Sequence, residues 1–168
     1  MSKEFSLNNF LVSTEIQPLS ELASTTLRIG IVASRFNKLL VEALLNRVLD
    51  SISTNGAPEF LCVERVPGAH EIPSALSLML RSESFSCMIG LGVIIKGSTS
   101  HHHMVADTAG HAIQRLAINH HTPIINGIVV TDNVSDAEER ITGTLDRGQE
   151  FAHAAIEMGH LQKKWTKT

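Results

Sequence analysis

The chain has 168 residues, 43% of them hydrophobic and 18% charged, with a formal net charge of −3. That is the size and make-up of one globular domain; it excludes a disordered or fibrous chain and carries neither the basic excess of a nucleic-acid binder nor an acidic tail. Two cysteines, Cys62 and Cys87, are too few for a disulfide framework or a four-cysteine zinc site, and with no Tyr, one Trp and six Phe the chain is poor in stacking aromatics.

Residues 1–26 are polar and mixed, with Lys3, Glu4, Glu15, Glu21 and Pro18. They read as an N-terminal arm ahead of a single domain over 27–168, and Phe10-Leu11-Val12 predicts a short strand in it. The arm lacks the apolar core of a secretory signal and is too acidic for a transit peptide. No segment approaches the roughly 18 consecutive apolar residues that span a bilayer. A cytoplasmic, reducing compartment with no membrane contact is the expectation.

The body alternates between two periods. Residues 27–33 are a short, β-rich apolar run, the pattern of a strand buried on both faces. Val41, Leu44, Leu45, Val48, Leu49 and Ile52 then form one stripe of an amphipathic helix. Asn37 is its expected N-cap, with the side-chain oxygen accepting from a first-turn amide. Residues 60–63 predict a second strand. Pro67 and Pro73 bracket a turn, and Pro73 suits the start of a helix over 74–81. Residues 86–95 predict a strongly apolar third strand, followed by the tight segment 96–100 and a helix over about 101–119. Residues 123–130 predict a fourth strand. Ser135-Asp136-Ala137-Glu138 is a capping-box pattern opening another helix, and 148–163 a last one.

Alternating apolar strands and helices imply a three-layer α/β sandwich: a central parallel four-stranded sheet with helices on both faces. In such sheets ligands bind beyond the carboxyl ends of the strands. Segments 34–37, 66–71, 96–101 and 131–133 must therefore converge on one edge.

The common nucleotide and hydrolase signatures are absent. There is no P-loop or nucleophile elbow, and Gly90-Leu91-Gly92 lies inside a strand without the third glycine of a dinucleotide fingerprint. The informative stretch is Gly97-Ser98-Thr99-Ser100-His101. Small hydroxyl residues and free amides at a helix start form an anion site, and a histidine at its mouth can transfer protons near neutral pH. The plain alternative is a capped helix with an exposed histidine.

Six of the nine histidines fall between 101 and 121. Consecutive helical residues point about 100° apart, so His101-His102-His103 cannot all bind one ion. With Val105, Ala109, Ala112 and Leu116 as the buried stripe, His103, Asp107 and His111 stack on the opposite face, as a metal ladder or simply a solvated face. No metal site is expected. His120-His121 complements the dipole at a helix end. Arg140 follows the acidic run 136–139 and is either a surface ion-pair residue or a phosphate clamp. Phe36 is either a packing staple or a stacking face for a planar ligand.

The four edge segments, Ser34-Arg35-Phe36-Asn37, Val66-Pro67-Gly68-Ala69-His70-Glu71-Ile72-Pro73, Gly97-Ser98-Thr99-Ser100-His101 and Thr131-Asp132-Asn133 with Glu139-Arg140, resemble in order and spacing the signature blocks of the lumazine synthase family. The resemblance implies a flavodoxin-like fold and the penultimate step of riboflavin synthesis. In that step 5-amino-6-(D-ribitylamino)uracil condenses with 3,4-dihydroxy-2-butanone 4-phosphate, releasing phosphate and water without a metal or redox cofactor. By the same resemblance Phe36 stacks on the pyrimidine, and Ala69, His70 and Glu71 meet the uracil substrate. Val93, Ile94 and Ile95 present backbone groups to it. Ser98 and Thr99 cradle the butanone phosphate, His101 transfers protons and Arg140 binds phosphate. The family's sites lie between subunits of a homopentamer, which implies a functional link to riboflavin synthase as well.

The chain departs from the family pattern at several points. His70 replaces a usual Phe or Tyr, and Asn126 replaces a Phe that reaches in from the neighbour. His102-His103-Met104 replaces an aromatic-acidic-aromatic stretch. The 143–148 turn lacks the lysine- and glycine-rich pattern of shell-forming members, so a free pentamer or a pair of pentamers is expected. The competing reading is a non-catalytic flavin- or phosphate-binding module on the same frame.

Overall fold

A computed structural model describes residues 26–56, 58–97 and 101–166. The expected N-terminal arm with its strand at Phe10-Leu11-Val12, and Ser98 and Thr99 of the expected anion cradle, lie outside the described residues. Among the described residues no helix is long and apolar enough to cross a membrane.

The elements run β1 (Arg28–Ser34), α1 (Lys38–Asn55), β2 (Phe60–Val66), a 3₁₀ turn (Ala69–Glu71), α2 (Ile72–Ser82), β3 (Cys87–Ile95), α3 (His101–His120), β4 (Ile124–Thr131), α4 (Val134–Thr142) and α5 (Arg147–Trp165). All strand pairs are parallel, in the order β2-β1-β3-β4. The expected strands at 27–33, 86–95 and 123–130 are each present within one residue. β2 extends three residues beyond the apolar run 60–63, because as an edge strand it carries Glu64 and Arg65 on its partly exposed surface.

The sheet is covered on both faces. Ile29, Ile31 and Ala33 of β1 and Cys87, Ile89, Leu91 and Val93 of β3 pack in one apolar cluster with α1, α4 and α5. The alternate residues Val32, Met88 and Ile94 face a second cluster with Ile72 and Leu76 of α2 and Ile113 of α3. The strand period of two thus delivers consecutive side chains to opposite cores. The fold is a three-layer, flavodoxin-like α/β sandwich.

Close approach sets two of these contacts. A Cβ on Gly90 would lie 2.7 Å from Cγ2 of Ile72, so the bare backbone of β3 lets the start of α2 settle on the sheet. A Cβ on Gly148 would lie 2.4 Å from Cβ of Arg47, so α5 crosses α1 at a point only glycine allows.

Several local expectations are refined. Asn37 stands at the N-cap position of α1, but its φ of 55° and ψ of 47° are left-handed and its side chain makes no capping bond. The capping-box pattern at 135–138 starts two residues too late. α4 begins at Val134, with Asn133 as N-cap accepting from the Asp136 amide. Asn133 is fixed there by its own carbonyl, which accepts from the Thr131 hydroxyl at 2.9 Å. On α3 the expected stripe holds, with Ala109 buried and Val105 and Leu116 packed against the second cluster, and it widens to take in Ile113, which is fully buried. The helix expected over 74–81 starts earlier, at Ile72, with Pro73 in its first turn as anticipated.

Candidate active site

Because every strand runs the same way, Ser34, Val66, Ile95 and Thr131 all end on one edge of the sheet. Hydrogen bonds join the segments that follow them. The amides of Arg35 and Phe36 donate to the carbonyls of Val66 and Pro67, at 2.7 and 3.0 Å. The Lys96 amide donates to the Thr131 carbonyl at 2.9 Å. The Asn37 side-chain amide donates to the Val93 carbonyl at 2.8 Å and ties the two pairs together. The convergence expected from topology is therefore a continuous hydrogen-bonded rim.

The strand order places a switch point between β1 and β3: α1 carries the chain outward to β2, and the next connection returns past β1 to β3. In open parallel sheets this is where a crevice opens for a ligand. The ladder between β1 and β3 ends at Ala33–Leu91, while β3 continues against β4 to Ile95–Thr131. The last residues of β3 thus extend past the end of their β1 partner.

The segments at this edge carry most of the residues singled out from the sequence. Phe36 is 70% exposed, so it does not serve as a packing staple. Ala69 is buried, and a Cβ on Gly92 of β3 would stand 3.3 Å from its methyl group, so the 3₁₀ turn lies flat against β3. His70 and Glu71 in the same turn are exposed, and Oε2 of Glu71 lies 3.0 Å from a Cβ built on Gly68. Val93 and Ile94 are buried and Ile95 half-buried, so backbone rather than side chain is what this strand end presents. His101 is exposed and is the first residue of the 20-residue helix α3, at the positive end of its dipole.

Arg140, in the last turn of α4, lines a recess of about 170 Å³ with His102, His103, Thr131, Asp132 and Asp136. The two carboxylates there are engaged by other groups. Asp132 is 3.4 Å from the Lys96 ammonium, and Asp136 accepts from the Asn133 side-chain amide at 2.9 Å. Among the described residues no carboxylate lies within ion-pair distance of Arg140. A guanidinium beside a helix start suits a phosphate.

Asn126 is not part of this edge within one chain. It pairs with Gly90 in the first half of β4, about 16 Å from the carboxyl end at 3.3 Å per residue. Its Oδ1 accepts from the Ile128 amide at 3.2 Å. The ladder His103, Asp107 and His111 is exposed on α3, and His111 Nδ1 lies 2.8 Å from the backbone oxygen of Asp107 rather than from its carboxylate. Among the described residues no three His, Cys, Asp or Glu side chains come together as a metal-binding group.

Sequence reasoning missed the Asn37–Val93 bridge and the Lys96–Asp132 pair. No pattern signals the first; a lysine ending β3 and an aspartate following β4 were the available hint for the second.

A family model described as 6,7-dimethyl-8-ribityllumazine synthase matches residues 26–163. The chain belongs to that family. The match covers β1 to nearly the end of α5 and so includes every wall of the crevice. It makes the protein a lumazine-synthase-type enzyme of riboflavin biosynthesis, a transferase family acting on small molecules in oligomeric assemblies.

Proposed function

We propose that the protein condenses 5-amino-6-(D-ribitylamino)uracil with 3,4-dihydroxy-2-butanone 4-phosphate to 6,7-dimethyl-8-ribityllumazine, one phosphate and two waters. The observation that carries this reading is the hydrogen-bonded convergence of the strand-end segments on one sheet edge in a chain of this family. Phe36 is exposed after β1, the end of β3 presents its backbone and His101 opens α3, while Arg140 lines a recess beside the end of β4 with no acidic partner among the described residues.

Each part has a chemical task. Phe36 offers a face for the planar pyrimidine, and the β3 backbone at Val93–Ile95 offers fixed donors and acceptors for its polar edge. Ala69, His70 and Glu71 flank the ribityl side, where the Glu71 carboxylate accepts from hydroxyls. Ser98, Thr99 and the start of α3 hold the phosphate, with Arg140 as its guanidinium partner. The substrate's 5-amino nitrogen attacks the ketone and water leaves as the imine forms. Phosphate departs next, and the ribityl-bearing nitrogen then closes the ring with loss of a second water. Each step moves a proton to or from nitrogen, carbon or oxygen, and His101 is the group positioned to carry it beside the leaving phosphate.

The site is shared between subunits of a pentamer in this reading. Asn126 lies too far from its own chain's edge and contributes to a neighbour's site. Leu39, Leu78, Ile118 and Val134 are more than half exposed, which supports burial against other copies. The 143–148 turn supports a free pentamer or a pair of pentamers. Cys62 and Cys87 are free thiols, which supports a reducing, cytoplasmic setting.

The test is to mix the purified protein with both substrates and follow lumazine absorbance and fluorescence together with released phosphate. Equimolar lumazine and phosphate, at a rate proportional to protein, is the expected result. Tight binding of a flavin or phosphate with no product would make the chain a binding module.

A further inference from the structure

We propose that Asn37 is a positioning residue that sets the width of the crevice between Phe36 and the end of β3; this rests on the reading of function above. Three observations carry it. Asn37 has a left-handed backbone, with φ 55° and ψ 47°. Its carbonyl accepts from the amides of Leu40 and Val41, at 3.1 Å each, so the helix start is anchored through its backbone and the side chain is left for other work. That side chain donates from Nδ2 to the Val93 carbonyl at 2.8 Å, across the switch point.

The Val93 carbonyl lies two residues beyond Leu91, where the β1 ladder stops. The asparagine amide takes the place of the missing strand and holds apart two walls that must grip one flat ligand. Phe36 immediately precedes Asn37, and Val93 begins the strand end that presents its backbone. Few residues meet both demands. Left-handed backbone is tolerated by Gly, Asn and Asp, and of these only Asn has a neutral N–H donor at the right reach. A first-turn cap needs only an acceptor, so the donor role distinguishes this asparagine from an ordinary helix cap.

The pair Asn37→Gly and Asn37→Asp separates backbone from side chain. Both accept the left-handed turn and so preserve the fold. Glycine deletes the bridge, and ionised aspartate sets an acceptor against an acceptor. The measurements are KM for each substrate, and calorimetric binding of an unreactive 5-nitro analogue of the ribitylaminouracil, which requires no turnover. We expect both variants to weaken the analogue and raise the uracil substrate's KM by about tenfold, the worth of one ordered hydrogen bond, with the butanone phosphate KM changed by less than about twofold. Protonated aspartate regains a donor, so the deficit of Asn37→Asp relative to wild type should narrow between pH 7.5 and pH 5, while that of Asn37→Gly stays constant. Unchanged analogue binding in both variants, equal KM increases for both substrates, or parallel pH profiles would overturn the proposal. A wild-type protein that neither binds the analogue nor forms lumazine would instead overturn the functional reading beneath it.

Discussion

His103, in the first turns of α3, and Arg140, in the last turn of α4, line the same small recess although they belong to separate helices. The recess joins the start of one helix to a guanidinium with no acidic partner among the described residues, and it lies beside the end of β4.

Arg140→Ala should therefore raise KM for the butanone phosphate by about tenfold or more, with a much smaller change for the uracil substrate. The reason is loss of a charge-assisted fork to a dianion. Arg140→Lys should recover part of the loss, since it restores charge without the fork. Steady-state kinetics with each substrate varied in turn checks this; equal increases for both would indicate damage to the fold instead.

Gly148→Ala tests the packing that holds α5 on α1. The new methyl group would meet the Arg47 Cβ, the Leu44 carbonyl at 3.2 Å and the Val48 amide at 3.2 Å. Two of these are backbone atoms that cannot swing away. The substitution should destabilise the chain by about 1–3 kcal/mol, read as a lower urea midpoint at unchanged slope. A midpoint within error of wild type would mean that α5 can shift outward without cost.

His160 supplies a pH dependence with a definite sign. Its burial on α5, with a smaller contribution from the nearby Lys163 charge, holds the imidazole below its ordinary value of 6.5. The folded chain then binds fewer protons than the unfolded one. The neutral form's contribution is fully present above the unfolded value and is lost as pH falls through 6.5 toward the lower folded value. His160→Gln removes this proton uptake. The difference in Tm, variant minus wild type, should be more positive at pH 5.5 than at pH 8. A constant difference would remove His160 from the pH response.

The fold was largely legible because strands buried on both faces and one-sided helices leave different apolar periods. β1, β3 and β4 follow directly from continuous apolar runs. What escaped was decided by tertiary contacts. Asn37 occupies a cap position by composition, yet its left-handed backbone turns the amide away from the first turn and toward Val93. Ser135 and Asn133 are both competent caps, and the Thr131–Asn133 hydrogen bond selects the latter. The 3₁₀ turn at Ala69–Glu71 depends on Gly92 of a strand not yet made when that turn is read. For the site, topology alone brought Phe36, Ala69 and His101 to one edge. Asn126 escaped topology because it lies in the first half of its strand, away from the edge where the strands end.

The most direct test of the account is the turnover of His101→Ala beside wild type, with both substrates saturating and the uncatalysed rate subtracted. Removing a general acid–base at the phosphate should lower turnover by about 10²–10⁴-fold. Both KM values should stay within about threefold of wild type, since the group acts on protons rather than on binding. A variant that turns over at nearly the wild-type rate would contradict the placement of proton transfer at the start of α3.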